Sequence, residues 1–223
     1  MILNGRTVRV VLIPVCLALI SVVLCSCSLF QSRIKVPVAK TPEQPVVSQV
    51  PPACEQPYCS VDLDFPLTLL SNPSIYVLKG ERRLWVVQDK VLVRDYTIGL
   101  GFSPSGDKYF RGDGRTPEGD YFICRKNGTS QYYKSIGINY PATRHAESGL
   151  NSGTISLDDY RQIVQANEAM KMPPANTALG GLIFIHGGGC HKDWTLGCVA
   201  VNNKAMDELF EMAKIGTPVH ILP

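Results

Sequence analysis

A histidine set among glycines and, twelve residues later, a cysteine behind a glycine are the residues of this 223-residue chain best suited to chemistry. The apolar run Gly181-Leu182-Ile183-Phe184-Ile185 leads directly into His186-Gly187-Gly188-Gly189, and Thr195-Leu196-Gly197-Cys198-Val199 follows. A histidine at a strand end beside glycines is held by the strand yet open to a ligand. Cys198 sits behind Gly197, where a backbone free of side-chain bulk can aim amide N–H groups at a developing oxyanion. A thiol with an ordinary pKa of about 8.5 is mostly protonated at neutral pH, so a neighbouring imidazole that accepts its proton makes it a nucleophile. Acyl transfer through a thioester is the chemistry this pairing suits. Residue types alone leave three other readings open. Cys198 can be a small buried hydrophobe and His186 a hydrogen-bonded strand-end residue. Cys190 and Cys198 can form a disulfide, which would take away the thiol nucleophile. His186, Cys190, His191 and Cys198 can also ligate zinc, but their spacing matches none of the usual zinc patterns, and no metal is expected.

At these residues the sequence resembles the L,D-transpeptidase catalytic-domain family of the YkuD type. The family signature is His-Gly and then, after a variable gap, Ser or Thr, any residue, Gly, Cys and an aliphatic residue. Here it reads His186-Gly187 and Thr195-Leu196-Gly197-Cys198-Val199. Upstream, Gly99-Leu100-Gly101 and Gly112-Asp113-Gly114-Arg115-Thr116-Pro117-Glu118-Gly119 resemble the family's stretch ending in Thr-Pro-x-Gly. Gly216-Thr217-Pro218-Val219 resembles its closing strand, so the likeness runs from Ser74 to Pro223, about 150 residues. It implies a mainly β catalytic domain in which Cys198 is the nucleophile, His186 its base, and the Gly187 carbonyl orients the imidazole. Thr195 and Gly197 would shape the oxyanion and substrate contacts.

The implied substrate is the peptidoglycan stem peptide. Cys198 would attack the carbonyl at the L-centre of a diamino acid, expel D-alanine and pass the acyl group to an amine, with no cofactor. The nearest rival gives the acyl group to water, as a peptidoglycan- or lipoprotein-releasing hydrolase, and a rival of another class is a noncatalytic wall-binding lipoprotein in which Cys190 and Cys198 are bridged. Two departures stand in the motif. Many members have histidine where Leu196 stands and arginine or asparagine where Ala200 stands, so contacts made by those side chains are absent or relocated here. Trp194, with Asp193, becomes a candidate pocket wall. Arg115 and Thr116 are candidates to face the substrate, whereas Pro117 and Gly119 read as turn geometry. In the insertion before the first helix, Tyr140 is expected in the core and His145 at the surface, and His220 is expected to be structural.

The elements that must position these residues are mostly strands. After Asn72-Pro73 come runs rich in Val, Ile, Leu and aromatics at Ser74–Leu78, Arg83–Gln88 and Val91–Gly99, joined by Lys79-Gly80-Glu81-Arg82 and Asp89-Lys90. They predict an antiparallel meander. The long loop Gly101–Gly119 follows, then a strand over Asp120–Arg125 that ends at Asn127-Gly128. Ser156 with Asp159 three residues on starts a helix over about 156–170, ended by Pro173-Pro174. A short helix over Asn203–Met212 and a last strand, Pro218–Leu222, complete a mainly β domain of sandwich or barrel type spanning about residues 70–223.

The first sixty residues read differently. Arg6 and Arg9 with no acid, the apolar run Val10–Leu24 and then Cys25-Ser26-Cys27 have the three-part layout of a secretory signal over residues 1–26. Fifteen apolar residues make about 22 Å of helix, short of the ~30 Å hydrocarbon core of a bilayer. Leu24-Cys25-Ser26-Cys27 resembles a lipobox, which would make Cys27 a lipidated N-terminus tethered to a membrane. Ser28 behind it leans toward the periplasmic face of the outer membrane. Residues 27–60, with Pro37, Pro42, Pro45, Pro51, Pro52 and Pro57, form a spacer. Removing residues 1–26 leaves 20 Lys+Arg against 19 acids, a balance that speaks against nucleic-acid binding. Of the eight cysteines, Cys16 and Cys25 leave with the signal, and Cys27 is the lipid candidate. In an oxidising compartment Cys54 could bridge Cys59 and Cys124 could bridge Cys190, leaving Cys198 free.

Overall fold

The structure is a computed structural model that describes residues 65–223. The signal 1–26, Cys27 with its spacer 27–60, and the Cys54–Cys59 pairing lie outside the described residues. The meander forms as the alternation predicts: β1 (Ser74–Leu78), β2 (Arg83–Gln88) and β3 (Val91–Thr97) pair antiparallel. Ile75, Val77, Leu84 and Val86 all point inward and are fully buried. Asp89 and Lys90 both adopt positive φ, 51° and 67°, the backbone that a tight hairpin matched to strand twist requires. β4 (Gly119–Ser130) runs on through Asn127-Gly128, past the predicted stop, because β5 (Tyr133–Ile138) pairs back along it.

The remaining strands are β6 (Phe184–His186), β7 (Val199–Ala200) and β8 (Pro218–Leu222). The strand order is β3-β2-β1-β8-β4-β5-β6-β7, with β8 parallel to β1 and antiparallel to β4. The last strand therefore fills the centre of a mixed eight-stranded sheet. Gly99, two residues past β3, bridges Ala200 of β7, so the two ends of the strand order meet around the core.

Among the described residues there are three α-helices, of which α3 packs on the sheet while α1 and α2 pack on each other. α1 (Thr143–Asn151) was not anticipated from the sequence; α2 (Leu157–Glu168) is capped by Ser156, whose Oγ accepts from Asp159 N–H at 3.1 Å while the Asp159 carboxylate accepts from Ser156 N–H at 3.0 Å. Ala146, Ile155, Ile163 and Leu179 form a small second core around these two helices. α3 (Asn203–Met212) buries Ala205, Met206, Leu209 and Met212 in the main core, and Asn202 caps it by accepting from Ala205 N–H at 2.8 Å.

Two expectations are corrected. Cys124 and Cys190 do not bridge: Cys124 is buried on β4, donating to Gly137 O of β5 at 3.4 Å, whereas Cys190 is half-buried in the loop after β6. Cys198 is also unbridged, so the Cys190–Cys198 disulfide is absent too. His145 is buried, not exposed. It lies in the first turn of α1, its Nδ1 accepts from Ala142 N–H at 3.1 Å, and its Nε2 lies 3.3 Å from Tyr121 Oη. Tyr140 is in the core as expected. Among the described residues no helix is long and apolar enough to cross a membrane.

Candidate active site

Parallel pairing of β6 with β7 explains how residues twelve apart in sequence come together. Ile185 lies opposite Val199 and His186 opposite Ala200, so Cys198, just before β7, is level with Phe184. Phe184 N–H donates to Cys198 Sγ at 3.4 Å, and the thiol reaches Leu182 O at 3.6 Å. His186, the last residue of β6, is 2% exposed, and its Nδ1 lies 2.6 Å from Gly187 O. A carbonyl oxygen only accepts, so the ring proton sits on Nδ1 and Nε2 is left with a free lone pair. Tyr132 stacks on the imidazole at a centroid distance of 4.7 Å, and Trp194 meets it edge-on at 5.6 Å.

His186 and Cys198 line one cavity of about 680 Å³, together with Tyr132, Trp194, Leu182 and Leu196. Burial lowers the His186 pKa, against the Gly187 carbonyl, which favours the protonated ring. Burial pushes the Cys198 thiol up to about 11, opposed by the Phe184 N–H and the Lys108 charge. Both groups are therefore neutral at neutral pH. Among the described residues no hydrogen bond joins sulfur to imidazole; the resting thiol is turned to the backbone leading into β6.

The turn before the cysteine is tied from inside. Thr195 is buried, and its Oγ1 donates to Cys198 O at 2.7 Å and accepts from Gly197 N–H at 3.1 Å. Gly197 has φ +128°, a left-handed backbone that favours glycine. Thr195 also anchors the upstream loop, since Trp194 and Thr195 N–H both donate to Leu100 O and Phe102 N–H donates to Thr195 O. Trp194 lines the cavity and donates through Nε1 to Gly189 O at 3.1 Å. Asp193 does not line it: it accepts from Leu100 N–H and pairs with Arg82 at 2.8 Å. Leu196 stands 76% exposed at the mouth, and Ala200 is fully buried in β7.

The Gly101–Gly119 loop is placed against this turn, but neither Arg115 nor Thr116 lines the cavity. Arg115 is not among the residues lining the cavity; its guanidinium donates to Asp107 O at 3.3 Å and lies over the Tyr109 ring at 5.7 Å. Thr116 is buried and accepts from Gly101 N–H. His220 pairs with Asp120 at 2.6 Å and stacks on Tyr76.

Sequence reasoning missed Tyr132 and Asn203 at the site and the burial of three charged residues beside it, Lys108, Asp113 and Lys79. Tyr132, at the β4–β5 hairpin tip, carries no local signal of its contact with His186. Asn203 Oδ1 accepts from Gly188 N–H at 2.9 Å. Lys108 and Asp113 form a buried ion pair at 2.6 Å, each 3% exposed, and Lys79 is buried against Glu118 at 2.7 Å. Charged residues in a polar loop give no hint of burial until the loop folds over them. Among the described residues no group of His, Cys, Asp or Glu is placed to hold a metal, so His186, Cys190, His191 and Cys198 do not form the zinc site that their types allow.

Comparison with known proteins bears on the family of the chain. Residues 72–221, two-thirds of the chain, match the model of the L,D-transpeptidase catalytic domain. No curated protein matches the chain. One similar solved structure is an L,D-transpeptidase from Xylanimonas cellulosilytica, at 17% identity and TM-score 0.40, covering 69% of this chain and 61% of that one. Another is the helical cell shape determining protein Pgp2 from Campylobacter jejuni, at 22% identity and TM-score 0.44, with 71% and 51% covered. A third is Bd1075 from Bdellovibrio bacteriovorus, at 23% and 0.42, with 71% and 53% covered. The chain thus spans 51–61% of the length of these solved chains. The match over residues 72–221 includes both the His186-Gly187 and the Thr195–Val199 segments, and the chain belongs to the L,D-transpeptidase catalytic domain family.

Proposed function

We propose that the chain is a peptidoglycan L,D-transpeptidase that works through an acyl-thioester on Cys198. One observation carries the reading: the Cys198 thiol lines the same cavity as an imidazole whose Nδ1–H is held on Gly187 O at 2.6 Å. That hydrogen bond leaves Nε2 as the basic nitrogen. The proposed mechanism has the thiol turn away from Leu182 O, across the cavity the two residues share, toward that base. As Nε2 takes the thiol proton, sulfur attacks the carbonyl at the L-centre of a stem-peptide diamino acid, and the C=O electron pair moves onto oxygen. Since Gly197 N–H is engaged by Thr195 Oγ1, the Cys198 N–H is the donor the turn offers to that oxyanion.

Collapse of the intermediate breaks the C–N bond to D-alanine, whose nitrogen receives the proton from the imidazolium. The acyl group remains on sulfur. An acceptor amine then gives a proton to Nε2 as it attacks the thioester, the C–S bond breaks, and the thiolate recovers the proton. Every proton and bond is handled by the chain's own groups, without a cofactor. Trp194 and Leu196, which line the cavity, are the side chains offered to the stem peptide.

Export by residues 1–26, lipidation of Cys27 and residence at the periplasmic face of the outer membrane complete the proposal, and they are supported by the N-terminal sequence. The test is incubation of the purified protein with tetrapeptide muropeptides, with and without an acceptor amine. D-alanine release with a cross-linked product supports transfer, and release without one supports the hydrolase. If Cys198→Ala releases as much D-alanine as wild type, the assignment fails.

A further inference from the structure

We infer that Asn203 is a positioning residue for His186, acting through the peptide unit between Gly187 and Gly188. Gly187 O and Gly188 N–H belong to one peptide plane. On one side its oxygen accepts the His186 Nδ1 proton at 2.6 Å; on the other its N–H donates to Asn203 Oδ1 at 2.9 Å. The ring is thus aimed by a carbonyl whose own orientation is set by a side chain from α3. A peptide with glycine on both sides has no Cβ to resist rotation, and Gly188 and Gly189 both take positive φ, 98° and 102°. Gly187 N–H is tied to Lys134 O at 3.2 Å and Gly189 N–H to Val201 O at 3.0 Å, which leaves the peptide plane between them to be set by the Asn203 contact.

Two further observations point the same way. A Cβ at Gly187 would lie 2.7 Å from Asn203 Oδ1, so glycine at 187 is what lets the amide come this close. The tandem asparagines divide the work at the start of α3: Asn202 caps the helix by accepting from Ala205 N–H, and Asn203 turns its oxygen to the loop after β6. Asn203 is therefore not spent on the helix end, which is the usual use of asparagine there. The chain of contacts fixes the tautomer: with Gly188 N–H anchored, Gly187 O faces the ring, Nδ1 holds the proton, and Nε2 keeps its lone pair for the thiol.

The inference deepens the reading of His186 as the base, and its test has one arm that needs no activity. The full chain, labelled with ¹⁵N at histidine, is followed by NMR, with His186→Gln assigning the signals. Wild type is expected to show a slowly exchanging His186 Nδ1–H and the Nδ1–H tautomer. Asn203→Ala is expected to lose that slow exchange, Asn203→Asp, which keeps an acceptor oxygen, to retain it, and Asn202→Ala to lower the melting temperature without moving the signal. An unchanged Nδ1–H in Asn203→Ala, or its loss in Asn202→Ala, overturns the inference.

The second arm measures acylation of Cys198 by a carbapenem across pH. Asn203→Ala is expected to slow acylation by about tenfold, the upper end of what one neutral hydrogen bond contributes. Because the Gly187 carbonyl raises the His186 pKa, its loss moves the acid limb to lower pH, whereas the added charge of Asn203→Asp moves it to higher pH. Shifts of both variants in the same direction count against positioning. If the NMR signal responds as expected and no variant, wild type included, is acylated, the positioning of His186 stands and the reading of His186 as base falls.

Discussion

Gly197 faces the main-chain carbonyl of Arg115 so closely that a Cβ at 197 would lie 2.6 Å from that oxygen. The contact joins the turn that carries the nucleophile to the loop that carries Thr116-Pro117-Glu118-Gly119. It explains why two segments eighty residues apart belong to one site although Arg115 sends its guanidinium elsewhere: the loop contributes its backbone. Gly101 is packed in the same way, since a Cβ there would meet Gly114 O at 2.1 Å, against the backbone of the same loop.

Gly197→Ala should therefore be costly twice over, through a backbone at φ +128° and through a collision with a main-chain oxygen that has no flexible end to move. The strained backbone alone costs about 1–3 kcal/mol, and the displaced turn should cut carbapenem acylation of Cys198 at least tenfold. Gly189→Ala is the comparison, because φ is +102° there but the nearest atom to a new Cβ is the His191 ring at 3.6 Å. Thermal unfolding and acylation rates of the two variants are the measurement. Equal losses would mean that strain, and not contact with the loop, is what Gly197 relieves.

What could be read from the sequence follows the range of the forces involved. β1, β2, α2 and α3 were legible because alternation, the Ser156–Asp159 capping box and a glycine stop are written within a few residues. α1 was not: its cap, Ala142, has no polar side chain, and Ser148 and Gly149 are poor helix formers, so the helix depends on packing Ala146 and Gly149 against Ile155 and Leu179. β7 has two residues and exists only because β6 lies beside it. The His186 and Cys198 segments were legible as a motif. The place of Arg115 was not legible because its side chain and its carbonyl serve different partners, and Tyr132 and Asn203 were missed because contacts with the loop around His186 arise only when the hairpin and α3 arrive there.

Thr195 holds the nucleophile turn through one oxygen that both donates and accepts, so Thr195→Val removes two hydrogen bonds at nearly constant volume. Cys198 O and Gly197 N–H would each lose a buried partner, at about 1–3 kcal/mol per unsatisfied group. Unfolding should report that loss, and acylation should slow in step with it. Thr195→Ser keeps the hydroxyl and should recover most of both. A serine variant as impaired as the valine one would locate the effect in packing of the methyl group.

Asp113 gathers the Gly101–Gly119 loop around its carboxylate, accepting from Lys108 at 2.6 Å and from the N–H groups of Tyr109, Phe110 and Arg115. Burial raises its pKa, but those bonds outweigh it and hold the carboxyl below the usual value. Because its folded pKa is depressed, the stability it supplies is complete above the ordinary aspartate range and is lost as pH falls through that range and on through the lowered folded pKa. Asp113→Ala would leave the Lys108 charge buried without its partner, at a cost of about 3–5 kcal/mol. Denaturant unfolding at pH 7 and at pH 3 checks this: the variant's deficit should be large at the first and shrink at the second. A deficit that does not change with pH would show that the loop relies on Asp113 for shape and not for charge.

The neutral resting pair gives the site a pH signature. Burial raises the Cys198 thiol to about 11 and lowers the His186 imidazole, so a preformed thiolate–imidazolium pair is disfavoured between those limits. Alkylation of Cys198 by iodoacetamide, which needs the thiolate, should keep climbing with pH toward about 11. Carbapenem acylation, in which His186 takes the proton during attack, should instead rise through the His186 titration below pH 6.5 and then level off. His186→Gln should erase that low-pH rise and leave acylation following the thiol alone. The raised thiol pKa also carries a stability sign. The folded state keeps its proton where the unfolded chain has lost it, so this contribution is full below the ordinary thiol range and disappears as pH climbs through about 11. Cys198→Ala should flatten that alkaline decline. An alkylation rate that saturates near pH 6 would instead mean that the thiol leaves Leu182 O in solution and shares its proton with His186 before any substrate arrives.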